Sequence, residues 1–196
     1  MTLFKKAGHA PVYLAHPRKT GGTSLTAMMH GAGWKVRWHF DKKRIIDQPA
    51  HMTTAQYLPA LDDASVTARI VMLVRHPLDR MSSLYRYSKR LEGRREQNLP
   101  PYDWWINLLM DVRDIRVTPL VDYEPPWWMR DPEQENWLLR YEDGIPHAFS
   151  VMSPGVRVKP RRLEAGLTME TPLADSTRER VIEYFRRDFE TYGYDA

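Results

Sequence analysis

Apolar residues recur in this chain with two different rhythms, and the alternation between them predicts its elements. Short continuous apolar runs occupy Val12 to Ala15 and Ile70-Val71-Met72-Leu73-Val74 after Arg69, the pattern of strands buried on both faces of a sheet. The first run passes into His16-Pro17-Arg18-Lys19-Thr20-Gly21-Gly22-Thr23-Ser24-Leu25 and then Thr26-Ala27-Met28-Met29, which reads as strand, tight loop and helix. The second stops at Arg75-His76-Pro77, and Pro77 suits the first turn of a helix. Met81, Leu84, Tyr85 and Ser88 follow at i, i+3, i+4 and i+7, predicting a helix from about Pro77 to Leu91 with Arg80, Ser83 and Tyr87 on its other side. A weaker strand is predicted at Trp137-Leu138-Leu139-Arg140-Tyr141, followed by Glu142-Asp143-Gly144 and a helix through Ala148 to Val151. The last helix carries Ser176 and Glu179 at capping-box spacing, an apolar stripe of Val181, Ile182, Phe185 and Phe189, and Gly193 just past its end.

Strands alternating with helices predict an α/β fold: a central, mainly parallel sheet flanked by helices, with right-handed crossovers. In such sheets ligands bind beyond the carboxyl ends of the strands, where Lys19 and Arg75 both fall. With 196 residues, 42% of them hydrophobic, the expected organisation is one domain over 1–196. No repeat or linker interrupts it, although 99–105 and 123–128 are rich in proline and tryptophan. The net charge of +4 suits polyanionic ligands without amounting to a nucleic-acid arm, so nucleic acid is not an expected partner. Without cysteine the chain has no disulfide, thiolate zinc site or thiol nucleophile. No apolar stretch approaches the roughly 20 residues of a membrane span, and the expectation is a soluble, cytoplasmic protein.

The loop after the first strand has the makings of a phosphate cradle. Gly21 and Gly22 let the backbone approach an anion, the N–H groups at a helix start point toward it, and Lys19, Thr20, Thr23 and Ser24 add a charge and three hydroxyls. A Walker A loop needs its glycines before the lysine, whereas here the lysine comes first. A dinucleotide fingerprint needs G-x-G-x-x-G, a spacing that Gly21-Gly22 does not offer.

The segment resembles instead the 5′-phosphosulfate loop of the PAPS-dependent sulfotransferases, especially the carbohydrate O-sulfotransferases related to heparan sulfate 2-O-sulfotransferase, whose pattern is close to P-K-T-G-G-T-S. Arg18, between Pro17 and Lys19, departs from that pattern. The family's second signature is an arginine at a strand end with a serine eight residues later, and Arg75 and Ser83 have that spacing in a stretch similar to R-x-P-x-x-R-x-x-S-x-Y. The segment around Ala50-His51-Met52, the pair Gln134 and Trp137 ahead of Arg140-Tyr141-Glu142-Asp143, and the ending Asp188 to Tyr194 resemble the family in the same order.

The resemblance implies a P-loop-like nucleotide-binding sulfotransferase fold and a donor, PAPS, that leaves as PAP. It places the 5′-phosphosulfate on Arg18, Lys19, Thr20, Gly21, Gly22, Thr23 and Ser24, and the 3′-phosphate on Arg75 and Ser83. Lys19 would stabilise the leaving phosphate, and His51, 24 positions before Arg75, matches the family's general base. No metal is implied. Lys159, Arg161 and Arg162 fall where the family has a nucleotide-covering loop, and equally form a solvated charge run. Arg80 reads as a structural ion-pairing residue and Glu142 as structural at a strand end. Trp104, Trp105, Trp127 and Trp128 suit either stacking on an acceptor or packing. The expected acceptor is a hydroxyl on a glycan or small molecule. A nucleotide-dependent phosphotransferase and a non-catalytic PAP-binding protein remain the alternatives.

Overall fold

A computed structural model of the chain describes residues 2–37, 69–93, 99–124, 137–156 and 173–196. Among these, the strands are β1 (Thr2–Lys5), β2 (Val12–Ala15), β3 (Lys35–Arg37), β4 (Arg69–Val74) and β5 (Leu138–Arg140). The helices are α1 (Gly22–Gly31), α2 (Pro77–Gly93), α3 (Tyr102–Asp111), α4 (Ile145–Met152), α5 (Asp175–Tyr184) and α6 (Arg186–Tyr192). The fold is α/β. Its chain divides into two units, Met1–Val74 with Asp122–Leu163 and Arg75–Val121 with Glu164–Ala196.

The first unit holds the sheet, in the order β3-β1-β2-β4-β5. β2, β4 and β5 are parallel neighbours, Ala15 opposite Met72 and Val74 opposite Arg140, so they end on the same edge. β1 runs antiparallel to both β2 and β3, which makes the sheet mixed while four of its five strands point one way. The central strands are apolar throughout because both faces are covered: Val12 to Ala15 and Ile70 to Val74 are all buried. Leu14, Val71, Leu73 and Leu139 share a core with Leu25, Met28 and Met29 of α1 and with Ala148, Phe149 and Met152 of α4. Trp34 closes that core by donating its indole N–H to Ser153 Oγ at 3.0 Å. Lys6 Nζ donates to Ala32 O at the carboxyl end of α1, where a cation opposes the helix dipole.

The second unit packs α2, α3, α5 and α6 around Met81, Leu84, Ile106, Leu109, Val181 and Phe185. Met81, Leu84, Tyr85 and Ser88 form the buried face of α2 as their spacing predicts. Arg80, expected on the opposite side, is instead 1% exposed: its Nη2 donates to Thr118 O at 2.6 Å and its guanidinium lies over the Phe185 ring. A long side chain can bury its stem and still bring its charged head to a carbonyl and an aromatic face. The Ser176–Glu179 capping box does not form, because the helix starts two residues earlier, with Ala174 as its cap and no side chain bonding there. Ala174 N donates to Asp103 Oδ1 of α3 instead. The final stripe is broken in two at Phe185 (φ −104°, ψ 18°), whose fully buried ring both closes α5 and opens α6. Gly193 ends α6 in the left-handed conformation, as expected. Asp188, also fully buried, receives the backbone N–H groups of Leu120 and Val121 at 2.7 and 3.0 Å.

Candidate functional site

The loop between β2 and α1 is built by its own backbone. Pro17 O accepts both the Thr20 N–H (3.4 Å) and the Thr20 hydroxyl (2.8 Å), and Thr20 is fully buried. That hydroxyl proton is therefore used within the loop. Lys19 has φ 68° and Gly21 φ 92°, ψ 3°. Left-handed residues leading into a helix start are the kind of backbone from which anion-binding nests are built, although the Thr20 N–H itself is taken by Pro17 O. The first N–H groups of α1 have no carbonyl partner inside the helix, and its cap, Gly21, carries no side chain to satisfy them. Thr23 is exposed on that first turn, while Arg18, Lys19 and Ser24 are half-buried.

The glycine pair has two distinct physical causes. At Gly21 the left-handed backbone favours glycine, and a Cβ there would stand 2.5 Å from Ile145 Cδ1 and 2.8 Å from Tyr141 Cδ2. Gly22 is helical, and its constraint is proximity: a Cβ would collide with the His16 ring, with Nε2 2.7 Å away. His16 is itself buried. Neither His16 nor Tyr141 had a role assigned from the sequence. The only hint was that each lies inside a segment already singled out, His16 at the start of the loop and Tyr141 in Arg140-Tyr141-Glu142-Asp143. Glu142 is exposed in the short 3-10 turn Tyr141–Asp143.

Arg75 follows β4 directly and Ser83 lies in α2, both half-buried and both in the second unit, whereas Arg18 to Ser24 belong to the first. Next to Arg75, His76 has its imidazole edge-on to Phe189 and Tyr194 and its Nε2 at 3.0 Å from Asp195 O. A carbonyl only accepts, so Nε2 carries the proton in that bond. Tyr85, the tyrosine of the second signature, donates to Pro100 O at 2.8 Å and stacks on Tyr102. Burial raises the Tyr85 phenol pKa and pushes that of Tyr102 up to about 12, with Ser82 hydrogen-bonded to Tyr102 Oη. Trp105 is buried in the same cluster, with Arg116 over its ring, while Trp104 is 55% exposed. His51, Lys159, Arg161, Arg162, Trp127 and Trp128 lie outside the described residues.

Chemically, the first unit presents a helix start preceded by a left-handed lysine and glycine, a combination that suits a phosphate or sulfate group. The second carries Arg75 and Ser83, eight positions apart and both half-buried. The chain matches no protein-family model, no curated protein and no solved structure. None of its helices among the described residues is long and apolar enough to cross a membrane.

Proposed function

We propose that this protein is a PAPS-dependent sulfotransferase, transferring a sulfuryl group to a hydroxyl on a glycan or small molecule and releasing PAP. The observation that carries the reading is the loop Arg18 to Ser24, where left-handed Lys19 and Gly21 lead into the start of α1 directly after a buried parallel strand. That geometry supports anion binding, and the order of residues along the chain supports the choice of anion.

In this reading the acceptor oxygen forms a bond to sulfur as the bond from sulfur to the 5′-phosphate oxygen breaks. The acceptor's proton passes to His51, and the electron pair departs with PAP. Lys19 meets the charge that grows on the phosphate oxygen, an interaction stronger in the transition state than in the ground state. Backbone N–H groups of the loop hold the 5′-phosphosulfate. Arg75 holds the 3′-phosphate through its planar guanidinium and Ser83 adds a hydroxyl, so that donors lacking that phosphate bind poorly. General-base help of this kind contributes about 10²- to 10⁴-fold.

Thermal unfolding with PAP, with AMP and with ATP plus magnesium tests the reading. A ligand at 100 times its Kd contributes about 2.7 kcal/mol, a rise of roughly 5 to 10 °C for a chain of this size. Stabilisation by PAP well beyond that by AMP is the expected result, and indifference to all three refutes the reading. His51→Ala then separates enzyme from binding protein: turnover with PAPS is lost while PAP affinity is kept.

A further inference from the structure

We infer that His16 and Tyr141 are positioning residues for the anion loop, holding its two glycines in the binding conformation. This rests on the function proposed above only in its choice of anion. The two side chains reach the loop from different parts of the sequence. His16 comes from the end of β2, and Tyr141 from the turn that follows β5, the strand two places along the sheet. Each occupies the space that a side chain on the adjoining glycine would take: the imidazole over Gly22, the phenol ring over Gly21 with Ile145 beside it.

The loop needs such support. Its binding conformation combines a lysine in the left-handed region with a glycine, the residue that has most alternatives to that conformation. Thr20 ties the loop to Pro17 on one side. Gly21 and Gly22, whose N–H groups begin the helix, are fixed from the other side by the two rings. A loop whose competent state is populated only in part binds its ligand more weakly by that fraction. Removing either ring opens a gap beside a glycine, and the loop relaxes into it. This assigns His16 a place under the helix start rather than a part in proton transfer.

The test measures PAP and inorganic pyrophosphate binding by calorimetry, well below the unfolding midpoint, on full-length wild type, His16→Ala, Gly22→Ala, the double variant H16A/G22A, Tyr141→Ala and Tyr141→Phe. His16→Ala and Tyr141→Ala are expected to bind about tenfold more weakly, the loss that follows if the competent state falls to about a tenth of the population. Tyr141→Phe keeps the ring and binds like wild type. Gly22→Ala also weakens binding, but H16A/G22A is no worse than His16→Ala alone, because the new methyl enters the space the ring has left. Should Tyr141→Ala fail to fold, Tyr141→Leu replaces it, keeping apolar volume without the flat ring. Lowered midpoints with unchanged affinity overturn the inference, as do additive losses in the double variant. Wild type that binds pyrophosphate but not PAP, with the same pattern among the variants, overturns the sulfotransferase reading and leaves the positioning roles standing. Wild type that binds neither anion overturns both.

Discussion

Gly21→Ala separates the two costs that the loop geometry assigns to one position. Gly21 and Gly33 both have positive φ, 92° and 83°, and both adjoin α1, one at each end. A Cβ at Gly33 meets nothing within 4 Å, so Gly33→Ala carries the left-handed backbone penalty alone, offset in part by the lower entropy of the unfolded chain. The net cost is about 1 kcal/mol. At Gly21 the same methyl stands 2.5 Å from Ile145 Cδ1 and 2.8 and 2.9 Å from two ring carbons of Tyr141. The isoleucine methyl can swing to another rotamer, but the ring atoms move only if the whole tyrosine turns. Overpacking of this kind costs about 1–3 kcal/mol, for a total near 3 kcal/mol. At roughly 2–4 °C per kcal/mol, Gly33→Ala lowers Tm by about 2–4 °C and Gly21→Ala by about 6–12 °C. Circular dichroism melts of both variants in the same buffer give the comparison. Equal losses at the two sites would refute the packing of Tyr141 and Ile145 on Gly21, and with it the account of why the loop carries a glycine there.

Two further outcomes test the second unit. Asp188→Asn leaves one carbonyl oxygen where two carboxylate oxygens now accept from Leu120 N and Val121 N, and turns an amide donor toward the other N–H; the cost is about 3 kcal/mol, and a midpoint within 2 °C of wild type contradicts it. The raised pKa of Tyr102 means that the folded state keeps its phenol proton where the unfolded chain, with an ordinary value near 10, releases it. This contribution is complete below pH 10 and is lost as pH rises toward 12, amounting to about 2–3 kcal/mol. Denaturant titrations of wild type and Tyr102→Phe from pH 9 to 12 should show a shallower decline in the variant, and parallel declines would count against it.

Elements with a single strong rhythm were legible in the sequence, and those without one were not. β4 and α2 follow their apolar pattern because one is covered on both faces and the other buries one stripe. α3 buries a stripe of the same kind, Tyr102, Trp105, Ile106, Leu109 and Met110, but Trp104 and Leu108 are exposed large apolar residues on its other side, among Asp103, Asn107 and Asp111, and they blur the stripe in the sequence. β1 and β3 are short strands bearing lysines and an arginine, set by their antiparallel pairing with each other and of β1 with β2 rather than by composition. Arg80 was misplaced because charge usually means surface, and its bond to Thr118 O is a contact 38 residues away that no local pattern encodes. The Arg18–Ser24 loop was legible as a loop and a helix start. The parts that shape it, the ring of His16 and the ring of Tyr141, depend on which strands lie side by side.

That distinction changes what the loop's sequence says about its ligand. Gly21 and Gly22 are accounted for by backbone conformation and by the rings packed on them, so a glycine pair here would be needed whether or not an anion ever bound. Lys19 differs from the glycines, because its left-handed backbone is held without the freedom a glycine has. It holds φ 68°, a conformation that costs a non-glycine residue about 1–2 kcal/mol and that glycine would adopt freely. Backbone strain of this order persists where the surrounding structure enforces it, and it gathers at binding and catalytic positions. Here the enforcement is visible in the Thr20–Pro17 bonds on one side of Lys19 and the fixed glycines on the other. In the sulfotransferase reading proposed above, the side chain at this strained position brings a positive charge beside a helix start, which a glycine there would not.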